Sequence, residues 1–288
     1  VCGIKLFMGS STGNMLVDTK ESLEEIFSTA TMPIAVHCED TEIINKNIKA
    51  IVAKEGNDPA VTFHPLIRST EACYRSTKTA VALAKKFGTH LHIMHISTEK
   101  EIKLLTNQPS DKKHITAEVT PAHLVFCDED YATLGTRIKC NPAIKSKQDR
   151  DALRNALTAN KIDVIGTDHA PHTLEDKTKG TWASSPGIPN LETVVPLLLT
   201  EVNRGNIDLK IIPKIFSQNA AEVYGLKNKG KIEIGYDADL TVIGLKQKGK
   251  FNIDEFKTKA EYSPFDGWEY QGTPVMTIVN GKVVMNKI

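Results

Sequence analysis

Asp168 and His172 lie in the stretch Val164-Ile165-Gly166-Thr167-Asp168-His169-Ala170-Pro171-His172, where an apolar run delivers a carboxylate and Pro171 stops the strand. A carboxylate at the exit of a buried strand is costly unless a cation receives it. In an α/β barrel, catalytic groups sit at the carboxyl ends of the strands. Asp168 therefore reads as a metal ligand and proton carrier. The plainer alternative is an Asp-His pair capping a loop, because a short motif is weak by itself. Lys5, His37 and His95 hold equivalent places, each ending a predicted parallel strand. Two imidazoles and a carboxylate converging on one mouth suit zinc or a similar divalent ion.

Lys5 is the odd member. An ammonium beside metal ions is repelled, and a buried lysine tends to lose its proton. Its neutral amine can take up carbon dioxide as a carbamate, an anionic bridge between two metals; the alternative is an ion pair with Asp168. His90-Leu91-His92 offers H-x-H spacing, but alternation along a strand sets these two histidines opposite Leu91, Ile93 and His95. They also lie near the strand's start, so they are assigned to the helix-facing or surface side. His64 and His114 are read as solvated, and His123 is left undecided.

The elements that must position these groups alternate. Predicted strands at 3–7, 33–37, 89–95, 115–119 and 162–166 are separated by helices at 19–28, 71–87, 98–105 and 149–159. Residues 9–13 read as a loop, 138–142 as a short extended piece and 187–191 as a loop, with two further helices running to about 223. Strands alternating with helices make a parallel sheet, and strand 33–37, apolar up to His37, has the pattern of one buried on both faces. After Gly225 the pattern changes to short strands at 231–234, 238–243 and 275–285, the last turning at Asn280-Gly281, a hairpin signal. The expected organisation is a barrel part over 1–226 and a small β-rich part over 227–288.

At 288 residues the chain can bury a large core, and 40% hydrophobic with 25% charged residues is ordinary for a globular protein. A net charge of +1 with interspersed signs carries no footprint for nucleic acid. No apolar run is long enough to span a bilayer, and the start has no signal-peptide pattern. The five cysteines are scattered without a C-x-x-C pair, which argues for a reducing, cytoplasmic setting.

Gly3-Ile4-Lys5-Leu6-Phe7-Met8, Val36-His37-Cys38-Glu39, Met94-His95-Ile96-Ser97, Glu118-Val119-Thr120-Pro121-Ala122-His123, Asn141-Pro142 and Thr167-Asp168-His169-Ala170-Pro171-His172 follow one another in an order that resembles the cyclic amidohydrolases, most closely the dihydroorotase family. The tail motifs Gly235-Tyr236-Asp237-Ala238-Asp239-Leu240 and Val279-Asn280-Gly281-Lys282-Val283-Val284 resemble that superfamily's small β-sandwich. The resemblance implies an α/β fold, a metal-dependent (β/α)8 TIM barrel represented by strands four to eight, with part of a composite β-sandwich. It implies two divalent ions, zinc by preference, with carbamylated Lys5 as bridge, His37 and His95 on the second metal, and Asp168 on the first.

Asn141 and His172 would contact the substrate's ring and carboxylate, and Pro186-Gly187-Ile188 would offer backbone groups to the ring. The implied reaction is reversible hydrolysis of the cyclic amide of dihydroorotate to carbamoyl aspartate. A small molecule is then the partner, and assembly with further copies of the chain stays open. An allantoinase or dihydropyrimidinase-type enzyme, or a non-catalytic amidohydrolase-like scaffold, are the competing readings. The chain departs from the family at two points. The family's own H-x-H, on the first barrel strand, has no equivalent, so the chain is expected to lack an N-terminal portion and to be inactive alone. Asn141-Pro142-Ala143-Ile144-Lys145 also stands where the family carries N-P-P-L-R.

Overall fold

The computed structural model describes residues 1–9, 17 and 19–288. Of the predicted loop at 9–13, residues 10–13 lie outside the described residues. Five strands, β1 (Ile4–Met8), β2 (Ile34–Cys38), β3 (Leu91–Ile93), β4 (Ile115–Val119) and β5 (Val164–Ile165), make one open sheet in sequence order. Every neighbouring pair is parallel. β1 and β5 are therefore its edges.

Register and alternation divide the sheet into two faces. Lys5 pairs with Ala35, Ala35 with His92, and His92 with Thr116, so these four lie in one row. Phe7, His37 and Glu118, each two residues further along, continue the same face. The opposite face carries Leu6, Met8, Ile34, Val36, Leu91, Ile93, Ala117, Val119 and Ile165, all in one apolar cluster with Leu23 and Phe27 of helix Lys20–Thr29 and Ala80, Val81 and Ala84 of helix Thr70–Phe87. Ile34, Val36 and Ile93 are fully buried, each contributing about 1.5–3 kcal/mol of burial free energy. The helices thus cover the apolar face and leave the polar face to the inner side of the sheet.

Local signals explain the helix bounds. Thr19 caps Lys20–Thr29 by accepting from the Ser22 N–H. Ser69 does the same for Thr70–Phe87 through Ala72, and Gly88 ends that helix in the left-handed conformation its lack of a Cβ permits. β4 ends at Val119, and Thr120 caps the short helix Pro121–Val125 that follows, with Pro121 in its first turn. Of the piece expected to be extended at 138–142, Ile138 instead closes the 3₁₀ turn Gly135–Ile138, Lys139 is extended, and Asn141–Pro142 is a cis peptide.

At the C-terminal end, β6 (Leu240–Lys250), β7 (Glu269–Val279) and β8 (Lys282–Asn286) form an antiparallel sheet. Its β7–β8 turn puts Asn280 and Gly281 at positive φ, as the hairpin signal requires. The strand expected at 231–234 does not form; turns and coil occupy that stretch. Helix Val194–Asn203 packs on this sheet, where Asn203 donates to the Leu245 and Gln271 carbonyls. No helix among the described residues is long and apolar enough to cross a membrane. The five cysteines are free, four of them buried.

Candidate active site

His37 lies within β2 and projects from the polar face, 2% exposed. Its Nδ1 stands 3.1 Å from His95 Nε2, with the ring planes crossing at 76°. By alternation alone His95 would join Leu91 and Ile93 on the helix side. It reaches His37 because β3 ends at Ile93 and His95 takes a φ of 37°, which turns its side chain back to the inner face. Asp168, three residues beyond β5, adopts a φ of 42°. Left-handed backbone at a residue with a Cβ costs on the order of 1–3 kcal/mol and gathers at functional sites. Two of the four predicted ligands carry that strain.

Burial, and then the neighbouring His37, hold the His95 pKa well below the ordinary histidine range, so its imidazole stays neutral. His95 Nδ1 is buried without a hydrogen-bond partner. On the other side, His37 Nε2 lies 3.2 Å from Glu39 Oε2. Glu39 is fully buried, and Arg68 pairs with the same oxygen. Burial alone would raise the Glu39 pKa, but Arg68 and His37 bring it down to about 2. A carboxylate behind an imidazole fixes the ring's orientation and strengthens its free nitrogen as a donor.

Lys5 lies on edge strand β1, exposed, with Nζ against Met94 Sδ and 4.8 Å from the Phe7 ring centre. It makes no ion pair with Asp168. Desolvation lowers the Lys5 pKa, while Asp168 and Glu118 partly restore it. Asp168 reaches solvent at the sheet's open end. Desolvation by the surrounding protein still raises its pKa, and Glu118 raises it further, against Lys5 and His37.

Among the described residues no group of three or more His, Cys, Asp or Glu side chains closes on a single metal position. The donor chemistry present nevertheless fits a divalent ion. Two imidazoles converge, His37 Nε2 and His95 Nδ1 are both buried without a hydrogen-bond partner, and an amine and a carboxylate interact electrostatically across the sheet.

Several expectations are corrected. His92 is not on the helix side. It is fully buried in the row with Lys5, where its Nδ1 meets Thr116 Oγ1 at 2.9 Å and its Nε2 meets Glu118 Oε2 at 3.2 Å. Leu91 and Ile93 take the helix face because an apolar pair belongs against the helices. His64 is not solvated; it is 5% exposed, with Nε2 2.9 Å from the Cys140 carbonyl and burial pushing its pKa down to about 3. His123 is a satisfied structural group between Thr120 Oγ1 and the Pro142 carbonyl. His114 is exposed, as expected, with its ring tilted at 42° to that of His90 and the centroids 4.6 Å apart. His169 accepts from the Leu191 N–H, which ties down the 188–191 segment.

The predicted substrate residues gather in a second group. Asn141 is half-buried, and its Oδ1 has no partner. His172 is half-buried beside Gly187: a Cβ added at Gly187 would lie 2.7 Å from Ala170 Cβ and 3.0 Å from His172 Cδ2. Free backbone groups were expected at Gly187, but its N–H donates to the Lys139 carbonyl and its own carbonyl accepts from Lys177 and Tyr262. Pro186 is half-buried and has no N–H to offer. Sequence reasoning missed Glu39, Glu118 and Lys177. The first two were visible in the quoted motifs, two residues beyond a strand position facing inward.

The family described as "Amidohydrolase family" matches residues 16–284. A dihydroorotase of Methanosphaera stadtmanae is 39% identical over 269 residues, covering 92% of this chain and 62% of that protein. A dihydroorotase of Pyrococcus furiosus is 38% identical, covering 98% of this chain and 61% of that one. Among solved structures, the L-hydantoinase (dihydropyrimidinase) of Arthrobacter aurescens superposes with a TM-score of 0.92 at 30% identity, covering 99% of this chain and 65% of that one. The chain thus spans about three fifths of the length of these curated relatives, and its five parallel strands share the barrel fold of the solved structures.

Proposed function

Because the chain belongs to the amidohydrolase family, we propose that it carries the cyclic-amide-hydrolysing centre of a dihydroorotase, a protein that interconverts dihydroorotate and carbamoyl aspartate. The observation that carries this reading is the facing His37–His95 pair at 3.1 Å, with Lys5 on the same inner face and Asp168 in electrostatic reach of Lys5 and His37. The 38–39% identity to dihydroorotases supports the substrate.

His37 and His95 would hold one divalent ion and Asp168 would be a ligand of the other, with Lys5, as a carbamate, serving both. Such ions, when bound, supply an activated water at neutral pH and polarise the ring carbonyl. In the hydrolytic direction the water oxygen bonds to the amide carbon and the carbon–nitrogen bond breaks. Asp168 accepts the water's proton at its carboxylate and returns it to the departing ring nitrogen. Asn141, with an unpartnered Oδ1, receives a ring N–H, and His172 faces the substrate carboxylate. Glu39 orients His37 from behind.

A second reading is a hydantoinase or dihydropyrimidinase, favoured by the fold match to the L-hydantoinase. The same ligands would serve; dihydrouracil lacks the ring carboxylate of dihydroorotate, and hydantoin lacks it and has a five-membered ring. The test is turnover of dihydroorotate, hydantoin and dihydrouracil by the metal-loaded full-length protein. Preference for dihydroorotate is expected. Preference for hydantoin or dihydrouracil replaces the reading with the second one, and bound metal without turnover of any of the three rejects both.

A further inference from the structure

We infer that Lys177 is a positioning residue for the substrate ring, tying the Asn141 segment to the Gly187 segment. This deepens the proposed function and rests on it. Lys177 is wholly buried, and its Nζ donates to the Lys139 carbonyl at 2.9 Å, the Ser185 carbonyl at 2.8 Å and the Gly187 carbonyl at 2.9 Å. Those acceptors come from two separate stretches of chain, and among the described residues no carboxylate pairs with this cation.

A buried charge held only by carbonyls is expensive, and a structural core position is served as well by an apolar side chain of similar size. An ammonium has three donors directed apart, which lets one side chain fix three backbone groups at once. The two stretches are also joined directly. The Gly187 N–H donates to the same Lys139 carbonyl at 2.9 Å, and the Tyr262 hydroxyl donates to the Gly187 carbonyl at 3.2 Å. Lys139 is itself 7% exposed and donates to the Thr181 carbonyl at 2.6 Å and the Ser184 carbonyl at 2.5 Å. Two lysines therefore hold the backbone between 177 and 187 in place.

What the clamp positions is specific. Lys139 stands two residues before Asn141, whose Oδ1 is buried and unpartnered. Gly187 packs against His172 so closely that an added methyl would meet Cδ2 at 3.0 Å. Lys177 thereby sets the separation between Asn141 and His172, the two groups assigned to opposite ends of the substrate. Neither Lys177 nor Lys139 adjoins the proposed metal ligands. Loosening the clamp should weaken substrate capture and leave the metal in place.

The experiment compares Lys177→Met and Tyr262→Phe with the parent in the metal-loaded full-length protein. Lys177→Met should raise KM for dihydroorotate about tenfold with kcat within about twofold, since loss of position appears in binding when the reacting groups are intact. Bound metal should not change. Tyr262→Phe removes one of two donors to Gly187 and should raise KM about twofold by the same reasoning. Hydrogen exchange should increase over 139–142 and 181–188 in both variants and stay unchanged over helix Thr70–Phe87.

An unchanged KM and exchange pattern in a folded Lys177→Met protein overturns the inference. Loss of metal and kcat together with KM also overturns it, because a general structural defect would do that. Should Lys177→Met not fold, Tyr262→Phe decides by the same criteria. Should the parent fail to turn over dihydroorotate, the functional reading fails, and the exchange pattern alone judges the clamp.

Discussion

His37 Nδ1 and His95 Nε2 face each other at 3.1 Å from adjacent strands, while Glu39 stands 3.2 Å behind the far nitrogen of His37. Like-type nitrogens meet at this distance inside a protein when they share a proton or an ion. The buried, unpartnered Nδ1 of His95 and its lowered pKa argue for a neutral His95 ring that offers a lone pair.

Glu39→Gln should weaken metal binding about ten- to a hundredfold, the usual effect of losing the group that orients a ligating imidazole. Competition with a chelator measures it on the full-length protein. Unaltered affinity would show that Glu39 serves only to neutralise Arg68.

Asp168→Asn should lower kcat by about 10²–10⁴-fold, the typical share of a positioned acid–base group, while part of the bound metal remains. Steady-state kinetics and elemental analysis on one preparation check both halves. Normal turnover would remove Asp168 from proton transfer.

Gly166→Ala tests the inner face beneath the site. A Cβ there would fall 2.4–2.6 Å from the Glu118 carboxylate, which pairs with buried His92. The fold should lose about 1–3 kcal/mol from overpacking, read as a lower denaturant midpoint. A neutral effect would mean that Glu118 moves aside freely.

Acid sensitivity should trace in part to His64. Its folded pKa is held at about 3 by burial, below the ordinary value of 6.5, so between these limits the unfolded chain binds the extra proton. Stability therefore rises with pH across that window and is lost as pH falls from 6.5 toward 3, with a slope of up to about 1.4 kcal/mol per pH unit. His123, held at about 4 mainly by burial, adds to the upper part of the window. Chemical denaturation of His64→Gln as a function of pH should show a shallower acid limb than the parent; an identical limb would assign acid unfolding to other groups.

Much was legible before any coordinates. The strand at 115–119 and the helix at 71–87 appear within a residue of their expected bounds, because alternation, a Ser69 cap and Gly88 encode them locally. The ordered motifs also located Lys5 and His37 on β1 and β2, and His95 and Asp168 just beyond the ends of β3 and β5 of the same sheet. The short strand at 231–234 was misread because four alternating residues carry no information about a partner, and among the described residues no strand pairs with it.

Residue type and spacing by themselves determined the α/β fold class and the order of the strands, and named the proposed ligands, since period and capping act over a few neighbouring residues. Only the tertiary structure decided which face each side chain joined. The left-handed turns at His95 and Asp168, the inward row that buries His92 on Glu118, and the closed shell around His64 all depend on contacts far apart in sequence. Alternation fixes relative sides, but which side is inner depends on where the helices pack. Lys177 is the extreme case: a lysine in an acidic turn, unremarkable in sequence, becomes a buried tie between two loops once Lys139 and Gly187 lie beside it.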